Sequence, residues 1–199
     1  MPPSPDVLRD YAALHLTYEV KMLCAQGRAL SDGLADYFHP NDRTSATFAI
    51  VGNSMLESWA IRLRLLSGFL WGQTSAGKGM TVFATDRLAV EYVRDPEAWR
   101  AAPPPIRSDY QGAFRRINTE IAHLSAHRSG SEAVGMPWLV ADLSRSLLGA
   151  IRVFDRAADY DLLGDRWDRE VRVPFLKAGY AFTTVAHPDD LPSPYDSTG

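Results

Sequence analysis

Apolar side chains recur at steps of three and four residues along most of this chain, the period of an α-helix that buries one face. The first run begins at Pro5 and Asp6. It carries Leu8, Tyr11, Leu14, Tyr18, Met22 and Ala25 to about Leu30, and Gly33 and Pro40 interrupt it. Asn41, Asp42, Thr44 and Ser45 offer N-caps for a second helix over about 45–71. Its stripe is Phe48, Val51, Met55, Trp59, Leu63, Leu66 and Phe69, and Gly72 is placed to end it. Residues 72–84 read as a loop. Thr85 or Asp86 then caps a short helix with Leu88, Ala89, Tyr92 and Val93 on its apolar side.

Pro103, Pro104 and Pro105 forbid regular helix. Ser108 caps the next one, over about 109–127. Ser129, Gly130 and Gly135 break the pattern again, and Pro137 suits a first helical turn. The last long helix, about 138–159, carries Leu139, Leu143, Leu147, Ala150, Ile151 and Phe154 in register. Beyond Gly164 the pattern weakens. Val171–Pro174 and residues 180–185 read as short extended segments, and the tail from Pro188 reads as disordered. The sum is an all-α protein: four long helices in an antiparallel bundle, a short helix in the 84–94 region and an irregular C-terminal tail. The bundle domain is expected over 1–164, with an irregular extension over 165–199 that is disordered after about 188.

Composition narrows the setting. A chain of 199 residues with 46% hydrophobic side chains suits one domain with an ample core. The net charge of −3, from 21 basic and 24 acidic side chains, gives no basis for broad duplex-DNA binding, although a local basic patch is compatible with it. Cys24 is the single cysteine. It can form no intrachain disulfide and no cysteine metal site, and its place between Leu23 and Ala25 predicts a buried small hydrophobe in a reducing compartment. Residues 1–5 lack the features of a signal peptide, and no apolar run approaches the roughly 18 residues that span a bilayer. The longest candidate, around Leu63–Trp71, is flanked by arginine. The expectation is a cytoplasmic protein with no membrane contact.

The chemistry concentrates in residues 115–128. Helical spacing puts Arg116, Glu120, His123 and His127 along one side, beside an apolar side of Ile117, Ile121 and Leu124. The plainest reading is a solvated face with an Arg–Glu pair. The functional reading is the rim of a cleft or an interface. Glu120, His123 and His127 also have the spacing of metal ligands, with Glu57, Asp86 or Glu91 available to complete the shell. Di-iron carboxylate bundles need Glu-x-x-His from two helices, and this chain has one. The expectation is therefore no cofactor. His15 and His39 stand alone and read as structural or surface residues. Glu57, Arg62 and Arg64 lie in an apolar helix, so they are expected at a rim or in a salt bridge between helices, or, for Glu57 and Arg64, lining one cleft with His123. Gly72–Gly79 imitates a phosphate-binding P-loop. It has Gly79 where that motif needs Ser or Thr, and a helical segment where it needs a strand, so it reads as an ordinary loop.

The 115–128 stretch resembles the characteristic helix of the HEPN superfamily, helical-bundle domains of prokaryotic toxin and phage-defence systems. That helix carries an arginine followed after four to six residues by a histidine. Arg116 and His123 have six residues between them, and Asn118 stands where the commonest form has an arginine. Glu57–Arg64, Asp86–Val93 with Trp99, and Ile117–Arg128 extend the likeness to uncharacterised bacterial proteins of this pattern, over roughly residues 10–160. The resemblance implies a metal-independent ribonuclease in a toxin–antitoxin or defence setting. His123 would move a proton, Arg116 would stabilise charge on the phosphate, and Asn118 or Glu120 would orient the histidine. It also implies a homodimer and a partner that is RNA or an antitoxin protein. Many relatives are inactive, so a non-catalytic interaction protein is the alternative. A metal-dependent helical enzyme is a third reading.

Overall fold

The computed structural model describes residues 3–32, 46–74, 77, 83, 85–105 and 139–177, with 46–49 as backbone only. Of these residues 81% are helical, and none lies in a strand. The expected all-α fold is what forms. The helix expected over 109–127, and with it Arg116, Asn118, Glu120, His123 and His127, lies outside the described residues, as do residues 180–199.

The first run is one continuous rod in three parts: α1 (Pro5–Tyr11), a π-helical segment π1 (Ala12–Leu16) and α2 (Thr17–Ser31). Ser4 accepts from Val7 N–H to cap it, and Pro5 opens its first turn. The buried face is not the expected one. Leu8, Ala12, Leu16, Val20 and Cys24 are buried, whereas Leu14 and Tyr18 are 59% and 46% exposed. Repeated steps of four drift around an α-helix of 3.6 residues per turn. The wider π turn takes up that drift and holds the four-step series on one side. The Thr17 hydroxyl donates to Ala12 O at 2.8 Å within the widened turn.

Helix α3 (Ala46–Trp71) follows the expected span. Trp59, Leu63, Leu66, Phe69, Leu70 and Trp71 are buried, all in its second half. The expected short helix at 84–94 is a single 3-10 turn, Ala89–Glu91. Glu91 turns back to accept from Leu88 N–H at 2.8 Å, and the chain leaves through a lone antiparallel bridge between Val93 and Ala158. A further helix, α4 (Pro96–Ala101), starts on an Asp95 cap with proline in its first position.

Helix α5 (Val140–Ala157) buries Leu143, Leu147, Ala150, Ile151 and Phe154 as its pattern predicts, while Leu139 stands before the helix and is exposed. Trp59 donates to Ser144 Oγ at 2.9 Å, and the Phe69 and Phe154 rings meet at 5.1 Å. Both pairs have the same sequence offset, so α3 and α5 run in the same direction. In an up-down-up-down bundle the second and fourth helices do so.

The segment after α5 differs most from expectation. Helix α6 (Tyr160–Trp167) is followed directly by a π-helical segment, π2 (Asp168–Lys177). Val171–Pro174, expected to be extended, is therefore helical, and residues 165–177 are not irregular. Trp167 and Val171 are fully buried in the same core as α2, α3 and α5. Gly164 permits the break between the turns. Its φ of 72° and ψ of 173° fall in a region that only glycine adopts without strain. Pro174, which lacks an N–H, sits inside the widened turns of π2.

Phe154 is the centre of the core. Edge-on rings of Phe69, Trp99, Trp167 and Tyr92 stand 5.1, 6.0, 6.1 and 6.5 Å from it. Among the described residues the buried indoles are all satisfied: Trp71 donates to Pro104 O, Trp99 to Leu70 O and Trp167 to Asp155, as Trp59 does to Ser144.

Candidate functional site

The core face of α5 leaves its other side to Arg152 and Arg156, one turn apart. Like charges at that spacing disfavour each other by about 0.2–0.5 kcal/mol and concentrate positive charge on this side. Across from them π2 brings Arg172, Leu176 and Lys177, and the start of α6 brings Tyr160. Together with Asp155 these side chains line a half-open cavity of about 390 Å³.

Asp155 holds the frame. Though only 8% exposed, it accepts from Trp167 Nε1 at 2.8 Å and from Arg172 Nε at 2.9 Å. Arg172 donates also to Asp168 at 2.6 Å, and its guanidinium lies over the Tyr160 ring at 3.9 Å. Burial works against the Arg172 charge, but the hydrogen bond and charge of Asp155, then the hydrogen bond to Asp168, outweigh it and raise its pKa. Arg172 is thus a fixed wall of the pocket. The other three cations are not neutralised this way. Arg152 Nη2 donates to Phe175 O at 3.3 Å, a neutral acceptor. No carboxylate of a described residue pairs with Arg152, Arg156 or Lys177. The Arg94 guanidinium caps the end of α5 by donating to the carbonyls of Arg156 and Ala157.

Two other cations join elements through ion pairs, whereas Arg64 and Arg169 pair with no carboxylate of a described residue. Arg62 pairs with Glu19 at 3.3 Å, donates to Ser58 and lies over Tyr18, so it joins α3 to α2 as a salt bridge between helices. Lys21 and Arg166 share Glu170 at 2.5 and 2.9 Å, which joins α2 to π2. The hydrogen bond from Lys21, then that from Arg166, hold the Glu170 carboxyl below the usual range. Cys24 is fully buried, and burial pushes its thiol up to about 12 against a lowering effect of Arg152.

Of the site residues expected from the sequence, only Glu57 and Arg64 are described. Both are exposed on the outer side of α3, two turns apart, with Ile61 between them. His123, their expected cleft partner, lies outside the described residues with the rest of its helix. Among the described residues no group of three His, Cys, Asp or Glu side chains has metal-site geometry, and no helix is long and apolar enough to cross a membrane. The P-loop look-alike follows a helix, and Gly77 has a packing role: a Cβ there would lie 1.9 Å from Trp71 O. The α5–π2 pocket was not expected. Its one signal in the sequence was Arg152 and Arg156 on the polar side of a strongly amphipathic helix. Compared with protein-family models, with curated proteins and with solved structures, the chain matches none.

Proposed function

We propose that this protein is a HEPN-like helical bundle that engages RNA, with the α5–π2 pocket as a contact for phosphate. The observation that carries the reading is the convergence of Arg152, Arg156 and Lys177 on one cavity with no carboxylate partner among the described residues. Arginine forks and a lysine point charge are the side chains that bind phosphate. In this reading Arg116 and His123 carry metal-independent cleavage, oriented by Asn118 or Glu120, in a cytoplasmic homodimer.

The test is cleavage and retardation of a fluorescent single-stranded RNA by the purified protein. Arg116→Ala and His123→Ala abolish cleavage with an unchanged melting curve, and a chelator has no effect. Arg156→Ala/Lys177→Ala weakens retardation and flattens its salt dependence. Loss of cleavage on chelation would instead assign Glu120, His123 and His127 to a metal.

A second reading, a non-catalytic interaction protein, is favoured by one observation. Leu14 and Tyr18 on the first rod, and Ile61 and Leu65 on α3, are exposed on either side of the Tyr18–Arg62 contact. Under it, a partner protein binds and no RNA is cut.

A further inference from the structure

We infer that the α5–π2 pocket selects a phosphomonoester, a terminal phosphate borne on a flat or apolar body, over the internal phosphodiesters of a chain. This rests on reading the pocket as a phosphate site, and it adds which phosphate is taken. Charge gives the first argument. The lining cations are Arg152, Arg156, Arg172 and Lys177, and the carboxylates paired with them are Asp155 and Asp168. Among the described residues, four minus two leaves +2, which matches a monoester dianion; a diester carries −1 and leaves a cation uncompensated. Charge-assisted bonds from arginine strengthen with the second anionic oxygen.

Size gives the second argument. A cavity of about 390 Å³ lies in the range that holds a whole small molecule rather than one tetrahedral anion. The remaining space is bounded by Tyr160 and Leu176. Arg172 covers one face of the Tyr160 ring and fixes its plane, yet Tyr160 is still 48% exposed. A held aromatic ring with open surface, next to an aliphatic side chain, is suited to a planar or apolar group. Arg152 and Arg156 approach from one helix and Lys177 from another element, so a phosphate between them would be gripped from two sides.

The same chemistry has two sources: the phosphorylated end of an RNA, or a small free phosphate ester. Calorimetric titration with inorganic phosphate and phenyl phosphate, and fluorescence titration with one oligoribonucleotide bearing either a 5′-phosphate or a 5′-hydroxyl, separate them. Phenyl phosphate is expected to bind about three- to tenfold more tightly than inorganic phosphate. Tyr160→Ala should erase that advantage and leave phosphate binding, while Arg156→Ala/Lys177→Ala should weaken both ligands at least tenfold. Both latter side chains are exposed, so the fold is retained, which a melting curve verifies. Preference for the 5′-phosphorylated RNA identifies the RNA end. Equal RNA binding alongside tight phenyl phosphate identifies the small ester. Equal affinity for the two small ligands, with no preference between the RNAs, overturns the inference and leaves the phosphate site standing. Absence of binding by every probe removes that site as well.

Discussion

On one side of α5, Phe154 meets four aromatic rings, and Leu147 and Ile151 are sealed from water. On the other, Arg152 and Arg156 face a cavity without a carboxylate partner among the described residues. Asp155, next to Phe154 in the chain, marks the border and serves both: it satisfies the buried Trp167 indole and anchors Arg172 in the pocket wall. The apolar side is completed by contacts within the chain. On the basic side, no carboxylate of a described residue neutralises Arg152 or Arg156. One helix can therefore be maximally constrained on one face and poised for a ligand on the other, and substitutions one residue apart should divide stability from binding.

Phe154→Ala tests the closed side most severely. It removes the ring at the centre of the cluster and should destabilise by about 3–5 kcal/mol, read as a lowered denaturant midpoint. A loss below about 1 kcal/mol would mean that the cluster is not the centre of the core. At the border, Asp155→Ala strands the Trp167 N–H and removes one of two carboxylates from Arg172. About 3 kcal/mol should be lost, together with ligand affinity, because the wall of the pocket loosens. A variant of ordinary stability and full affinity would dissolve the link between the two sides.

Cys24 sharpens the comparison through pH. Its thiol lies on the apolar side yet within reach of the Arg152 field, and burial outweighs that field. A raised acid pKa means the folded state keeps the proton that the unfolded state gives up. Stability from this group is therefore complete below the unfolded value of 9.0 and declines as pH rises towards about 12. Within that window the slope is about 1.4 kcal/mol per pH unit. Denaturation at pH 8 and pH 10 should differ less in Cys24→Ala than in the parent; equal differences would show that the thiol is more open than its position implies. The smallest effect belongs to the open side. Arg156→Ala should change stability by less than about 0.5 kcal/mol, since its side chain is exposed and has no carboxylate to lose. A clear gain in stability would show that repulsion between Arg152 and Arg156 is itself being tolerated for binding.

The long helices were legible because their burial follows a simple period. Leu143, Leu147, Ile151 and Phe154 fall on one stripe in the sequence and one face in space. Leu14 and Tyr18 were misleading because the π turn shifts the phase of the first rod, and no local pattern announces that widening. Val171–Pro174 resembles a strand through two β-branched residues and a proline. It is helical because Val171 enters the core and Arg172 reaches Asp155, contacts made with residues far away in the chain. The pocket was hidden for the same reason. Arg152 and Arg156 could be placed on the polar side of a helix, but their significance depends on π2 arriving opposite them. Glu57 and Arg64 are exposed on α3, and Arg62 forms the kind of interhelical ion pair that charges in an apolar helix call for.

The joining of Lys21 to Glu170, 149 residues apart, bears on how the chain folds as it is made. Leu16, Val20 and Leu23 are sealed in a core that also contains Trp167 and Val171. At about 5–20 residues per second, a ribosome needs roughly 7–30 s to supply the second half of that contact after the first has emerged. For that interval an amphipathic rod stands in the cell with its apolar stripe uncovered. Helices that form early and wait for a distant partner are substrates for holding chaperones, and this architecture makes closure of the core an event at the end of synthesis.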